Sequence, residues 1–205
     1  NVITNAPEDA AEIVNALIAA PAVRHINFTG STNVGRIIAQ KAAAHLKPVL
    51  LELGGKAPMV ILDDADLEGA VNGAAFGAFM NQGQICMSTE RLIVHEGIAD
   101  KFIAAFAAKA AKLPAGNPRD KVVLGSMVTL EAAEKMDGII ADAMAKGGKV
   151  IAGGTRDGSI VTATVIDHVT PDMLIYQEES FGPVKPIIRV KDDAEAIRVA
   201  NDTAY

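Results

Sequence analysis

The stretch His25-Ile26-Asn27-Phe28-Thr29-Gly30-Ser31-Thr32-Asn33-Val34-Gly35 decides the fold. A short β-prone run meets a glycine, two hydroxyl residues follow, and apolar residues then recur at helical spacing through Val34, Ile37, Ile38 and Ala42. This predicts a strand over 25–29 and a helix from about Thr32 to His45. Pro48 marks the exit of that helix, and Val49-Leu50-Leu51-Glu52-Leu53 reads as a second strand. Upstream, Val2-Ile3-Thr4 is strand-like. Pro7 to Ala20 reads as a helix with Ile13, Leu17 and Ala20 on one face. The order β, α, β, α, β favours a parallel sheet with crossover helices, an α/β fold.

Gly54-Gly55 breaks this pattern, which divides the chain into residues 1–53 and residues 54–205. Beyond it, Pro58 to Leu62 is almost wholly apolar, as expected of a strand buried on both faces. Asp66 is placed to cap a helix that runs through Ala70 and Phe76 and loses regularity at Asn81-Gln82-Gly83. Further strands are predicted at Arg91 to His95, Val150-Ile151, Ile160 to Ile166 and Pro186 to Val190. Helices are predicted over Ala99 to Lys112, Thr129 to Lys146 and Ala194 to Asn201. Both chain ends are read as cuts in a longer protein, since Asn1 leads directly into a strand-like run and Tyr205 follows a helix without a closing loop.

The chain has 205 residues, half of them hydrophobic and 21% charged, with a formal net charge of -6. That balance suits a globular domain with a substantial core. An acidic chain without basic runs argues against nucleic acid as a partner. No apolar run reaches the roughly 18 residues of a membrane span, so no membrane association is expected. One cysteine excludes an intramolecular disulfide and suits a reducing, cytoplasmic setting. The four histidines stand singly, so no metal site is expected.

Four segments carry candidate chemistry. At Gly30-Ser31 a strand ends, hydroxyls cap a helix, and free N–H groups with the positive end of the helix dipole favour a phosphate. The pattern is not G-x-G-x-x-G, and on local chemistry alone a plain strand-to-helix turn with a good cap is the favoured reading. Cys86, in Asn81-Gln82-Gly83-Gln84-Ile85-Cys86-Met87-Ser88, is either a small buried hydrophobe or a nucleophile. Its polar surroundings speak for the nucleophile. Glu52 stands between Leu51 and Leu53 at the end of an apolar strand. Partial desolvation there would raise its pKa toward that of a general base, and an ion pair with Lys56 or another lysine is the alternative. Glu179, ahead of Ser180-Phe181-Gly182-Pro183, could accept hydrogen bonds from ribose hydroxyls, although its spacing alone reads better as a solvated turn.

Together Phe28-Thr29-Gly30-Ser31, Glu52-Leu53-Gly54-Gly55-Lys56, Gly83-Gln84-Ile85-Cys86 and Glu179-Ser180-Phe181-Gly182-Pro183 resemble the signature segments of the aldehyde dehydrogenase superfamily. They stand in order and at matching intervals along essentially the whole chain. The resemblance implies the C-terminal part of a Rossmann-like cofactor domain followed by most of an α/β catalytic domain. It implies Cys86 as the nucleophile, Glu52 as the general base, and Gly30, Ser31, Gly35, Leu53, Glu179 and Phe181 as cofactor-binding residues. Gly30 and Ser31 would lie against the pyrophosphate, Glu179 would hold the nicotinamide ribose, and Phe181 would pack beside the nicotinamide. The implied reaction oxidises an aldehyde to a carboxylic acid with NAD, NADP being left open, through a thiohemiacetal and a thioester on Cys86.

The resemblance also implies a homo-oligomeric parent, a dimer or tetramer. Gln84 to Ser88 look similar to the branch that oxidises aromatic aldehydes such as salicylaldehyde, vanillin or benzaldehyde, with Met87 and Ser88 shaping the pocket. The family's upstream oxyanion asparagine and adenosine-ribose segment lie outside these residues, so the polypeptide alone is expected to be inactive. The rival readings are a coenzyme A-dependent acylating relative and a non-catalytic module of the same fold. Glu52 argues against the first, and the presence of both Cys86 and Glu52 argues against the second.

Overall fold

The computed structural model describes all 205 residues, which form two compact units, Asn1–Gly54 and Gly55–Tyr205. In the first unit a single 3-10 turn at Pro7–Asp9 leads into α1 (Ala10–Ala19), followed by β1 (Ile26–Thr29), α2 (Thr32–Ala43) and β2 (Val49–Glu52). β1 and β2 pair in parallel, with Ile26 opposite Val49 and Thr29 opposite Glu52, so both strands end at the same edge. Ile18, Ile38 and Ala42 form the small core, with Val14, Ile26, Phe28 and Val49 packed on it.

This unit departs from expectation at its start. Val2-Ile3-Thr4 is not a strand, and Val2 and Ile3 are exposed. α1 buries the Val14–Ile18 face, while Leu17 faces solvent. In α2, Val34 and Ile37 are exposed and Gly35 takes their place in the buried stripe with Ile38 and Ala42. The cause is close approach: a Cβ at Gly35 would lie 2.5 Å from Leu53 Cδ2, so the glycine face is the one that lets this helix close on the strand.

The second unit comprises β3 (Pro58–Ile61), α3 (Leu67–Phe79), β4 (Arg91–His95), α4 (Glu96–Ala110), α5 (Leu130–Ala145), β5 (Lys149–Ala152), β6 (Arg156–Asp157), β7 (Ile160–Val161), β8 (Thr164–Asp167), α6 (Leu174–Gln177), β9 (Val184–Val190) and α7 (Asp193–Asn201). Five strands form one sheet in the order β3-β4-β9-β8-β5. All neighbours are parallel except β8 and β5. Pleat alternation sends successive side chains to opposite faces. Leu92, Val94, Val165 and Ile187 join the core under α3 and α4. Ile93, Ile166, Ile188 and Val190 join the core under α5, α6 and α7.

Phe106 sits between Phe79 and Phe102, with ring centroids 5.6 Å away on each side. All three rings are buried, and each contributes roughly 2–3 kcal/mol through apolar burial.

β3 is an edge strand, and only Ile61 in it is fully buried, which corrects the expectation of burial on both faces. The predicted strand over 160–166 divides in two. β7 turns back on β6 as a hairpin, while Thr164 leaves it to join the main sheet. There Thr164 Oγ1 accepts from the Gly154 N–H and donates to the Thr162 carbonyl, bonds that fix the bend. Helix starts follow the expected chemistry: Asp66, Thr129 and Asp192 each accept an N–H from the first turn of α3, α5 and α7.

Candidate active site

The first unit collects its candidate residues at the carboxyl ends of β1 and β2, where ligands of parallel α/β sheets bind. The Gly30 N–H donates to the Glu52 carbonyl over 3.0 Å and extends the ladder by one rung. A Cβ at Gly30 would run into the Phe28 ring. Ser31 is the N-cap of α2, its hydroxyl accepting from the Val34 N–H at 3.4 Å. The first turn of α2 holds no acidic residue, so apart from the Ser31 cap on Val34 no side chain offsets its leading N–H groups and dipole. Gly30 and Ser31 are exposed beside this helix start. Gly35 and Leu53 stand behind it as a packed pair.

The Glu52 side chain is exposed, so the expected desolvation is not provided within this unit. Lys56, its alternative partner, is spoken for: it is buried 2.8 Å from Glu90.

In the second unit, α3 runs into a 3-10 turn at Met80–Gly83 that contains an unusual backbone. Asn81, Gln82 and Gly83 have φ of 50°, 57° and 72°, three left-handed residues in succession. Such conformations cost energy and persist only where surroundings enforce them. Here the enforcement is visible. The Gln84 N–H donates to the Asn81 carbonyl, and the Asn81 side-chain amide donates to the Gln84 carbonyl. Gln84 Oε1 accepts from the Val128 N–H at 2.9 Å. With its amide oriented to satisfy both ends, Gln82 donates to the Asn81 carbonyl and accepts from the Gly125 N–H. The polar residues around the thiol therefore form a brace. Gly83 is obligatory on two counts, its positive φ and a Cβ position that collides with the Gly182 carbonyl oxygen.

Cys86 follows on an exposed turn closed by the Ser88 N–H donating to the Ile85 carbonyl. No backbone carbonyl accepts the Cys86 N–H, which leaves it available to an incoming oxygen. Met87 is 82% exposed beside it. Ser88, expected to shape a substrate pocket, is instead turned inward and donates to the Gly77 carbonyl at 2.9 Å.

Three segments distant in sequence meet at this turn. A Cβ at Gly55 would lie 3.4 Å from the Cys86 carbonyl oxygen. The Gly55 N–H donates to Glu179 Oε1 at 3.1 Å, and the Gly83 loop packs on Gly182. Phe181 lies between, 40% exposed and held at a φ of 48°, a strained setting for an aromatic residue. Gly55, Cys86, Glu179 and Phe181 thus belong to one locality.

Beneath it lies a charged cluster that the sequence reading missed. Glu90 accepts from Lys56 Nζ (2.8 Å), Lys185 Nζ (3.0 Å), Ser180 Oγ (2.8 Å) and the Ser180 N–H (2.8 Å). Every member is buried. Burial alone would push the Glu90 pKa up. The charges of Lys185 and Lys56, with hydrogen bonds from Lys56 and Ser180, reverse this and hold it down at about 2. Burial lowers both lysines, and Glu90 opposes the shift. A signal did exist: Lys185 interrupts an apolar strand just as Glu52 does. Next to Glu90, Arg91 points to the opposite face and donates to the Val199, Ala200 and Asp202 carbonyls at the end of α7.

These features coincide with a clear sequence relationship. The aldehyde dehydrogenase family model matches residues 1–205. Over 207 residues the chain is 54% identical to a salicylaldehyde dehydrogenase of Pseudomonas putida, covering all of this chain and 43% of the relative. It is 56% identical over 206 residues to a vanillin dehydrogenase of Pseudomonas fluorescens, with the same coverage. The crystal structure of a salicylaldehyde dehydrogenase from Pseudomonas putida G7 complexed with salicylaldehyde superposes with a TM-score of 0.94 at 54% identity, over 98% of this chain and 42% of that one. The NADP-complexed glyceraldehyde-3-phosphate dehydrogenase GapN of Methanocaldococcus jannaschii superposes with a TM-score of 0.93 at 40% identity, over 100% of this chain and 44% of that one. The chain therefore spans less than half the length of the curated relatives it matches, and it belongs to the aldehyde dehydrogenase family.

Proposed function

We propose that the protein oxidises an aldehyde to a carboxylic acid with NAD(P)+, with Cys86 as nucleophile and Glu52 as the base that activates water. The observation that carries this reading is the exposed Cys86 thiol on a braced turn, beside an N–H without a backbone acceptor. A thiol placed for packing would be buried in apolar surroundings.

The residues at the end of β1 suit a dinucleotide phosphate: an exposed glycine, a hydroxyl cap, and a twelve-residue helix whose first turn carries no carboxylate. Gly30 and Ser31 would take the pyrophosphate, with Gly35 and Leu53 fixing the helix behind them. Glu179 would take the nicotinamide ribose hydroxyls, with Phe181 against the nicotinamide end. When bound, the nicotinamide supplies the hydride acceptor.

The chain's own groups do the rest. The Cys86 thiolate bonds to the aldehyde carbon, and the carbonyl electron pair moves onto oxygen. The Cys86 N–H donates to that oxygen. As the C=O bond re-forms and hydride departs, a thioester remains on Cys86. Glu52 takes a proton from water, whose oxygen attacks the thioester carbon. The carboxylic acid leaves, and the Cys86 sulfur regains its electron pair.

The substrate class we propose is an aromatic aldehyde, supported by identities of 54% and 56% to salicylaldehyde and vanillin dehydrogenases. The test is steady-state oxidation by the full-length protein and by its Cys86→Ser and Glu52→Gln variants, with products identified. Benzaldehyde-type substrates should outrank acetaldehyde in kcat/KM. Cys86→Ser should abolish turnover, and Glu52→Gln should stop it at a covalently acylated protein. Preference for acetaldehyde would overturn the substrate class. An active Cys86→Ser variant would overturn the mechanism, and a coenzyme A thioester formed in place of the free acid would assign the acylating reaction instead.

A further inference from the structure

We propose that Glu90 is a positioning residue that sets the Cys86 turn against the Glu179–Phe181 segment, acting through Lys56, Lys185, Ser88 and Ser180. The inference rests on the reading of Cys86 as the nucleophile.

The argument is one of connectivity. Lys56 follows Gly55, whose N–H holds Glu179 and whose backbone lies against the Cys86 carbonyl. Ser180 stands between Glu179 and Phe181 and gives Glu90 both its N–H and its hydroxyl. Ser88, two residues beyond Cys86, accepts from Lys185 at 3.5 Å and is itself anchored on Gly77. One carboxylate thereby ties together the three segments that form the locality of the thiol.

Glu90 is 2% exposed, and no buried side-chain polar atom in the protein lacks a hydrogen-bond partner. A buried network in which every polar atom has a partner restricts the arrangements open to the segments it joins, so they do not drift independently. Two lysines from different segments, Lys56 beside Gly55 and Lys185 in β9, converge on a single carboxylate, so Glu90 fixes their positions relative to each other. Neither Glu90 nor either lysine is exposed to meet substrate, which separates this role from a catalytic one.

The decisive variant is Ser180→Ala in the full-length protein. It keeps both lysine–carboxylate pairs and cuts one tether to the Glu179–Phe181 segment. Glu90→Gln is the stronger lesion, but it leaves two ammonium groups without their counter-charge and endangers folding. For Ser180→Ala we expect a protein that stays folded at the assay temperature, with a melting temperature lowered by only a few degrees. The rate constant for iodoacetamide alkylation of Cys86 and kcat should each fall about tenfold, the loss of one hydrogen bond to a charged group. KM for the aldehyde should move less than kcat. A lowered melting temperature with unchanged alkylation of the folded protein would make the cluster a stability device and overturn the proposal. Unchanged kcat and alkylation would overturn it as well. Cys86→Ser is assayed in parallel: turnover surviving in that variant defeats the nucleophile reading, whereas a dead Cys86→Ser beside an unaffected Ser180→Ala defeats the positioning role alone.

Discussion

The Gly55 amide donates to Glu179 Oε1 over 3.1 Å, so one carboxylate oxygen of the proposed ribose ligand is already fixed by the backbone next to the thiol turn. The contact orients Glu179 without neutralising it. Replacing Glu179 by Gln keeps the shape and removes the charge from hydrogen bonds to the ribose. We expect KM for the dinucleotide to rise about tenfold, the difference between a charge-assisted and a neutral bond. Titration of cofactor binding by fluorescence checks this, and an unchanged dissociation constant would remove Glu179 from the cofactor site.

Gly83→Ala forces a Cβ onto a backbone at a φ of 72° and into the Gly182 carbonyl oxygen. The Gly182 oxygen cannot yield cheaply, because it is main chain. The variant should lose about 2 kcal/mol or more of stability, read by urea denaturation. A loss below about 0.5 kcal/mol would show that the loop relaxes freely.

Arg91 serves the other side of the sheet. Its guanidinium takes three carbonyls at the end of α7 and the Lys56 carbonyl besides. Arg91→Ala takes a donor from the Lys56, Ala200 and Asp202 carbonyls, while the Val199 carbonyl keeps the Asp202 N–H, at a cost of about 3 kcal/mol. Arg91→Lys should recover only part of it, since an ammonium group cannot span the same fork of acceptors. Hydrogen exchange of the α7 amides should report the fraying directly.

The cluster also predicts acid sensitivity. Glu90 is held at about 2 in the folded protein, below its ordinary value of 4.5. A depressed folded-state pKa gives stability that is fully present above the unfolded value and is lost as pH falls toward the folded one. The contribution is on the order of 3 kcal/mol, and it should disappear between about pH 4.5 and 2. Melting temperatures measured down that range should fall more steeply for the parent than for any folded Glu90→Gln variant. Parallel curves would rule out Glu90 as the titrating group.

Much of the fold was legible because apolar periodicity and capping residues are local. The strand Arg91–His95 and the caps Asp66 and Thr129 follow directly from neighbouring residues. What failed depended on packing partners. α1 buries Ile18 because β1 and α2 lie over that face, a fact its own spacing does not contain. The candidate Cys86 stood out by its setting, but the left-handed run before it is imposed by Val128, Gly125 and Gly182, all distant in sequence. The Glu90 cluster left one local sign, Lys185 in an apolar strand, but Lys56, Ser180 and Lys185 converge on Glu90 only once the sheet order is known.

The three left-handed residues before the thiol have a practical corollary for altering substrate choice. A loop seated in so rare a conformation has few neighbouring states to explore, so changes at positions 81–83 will more often break the protein than retune it. Met87 is different, its side chain almost wholly in the open and its backbone held by the turn from Ile85 to Ser88. Diversity introduced at that single residue varies the surface offered to a ligand and leaves the scaffold beneath it intact.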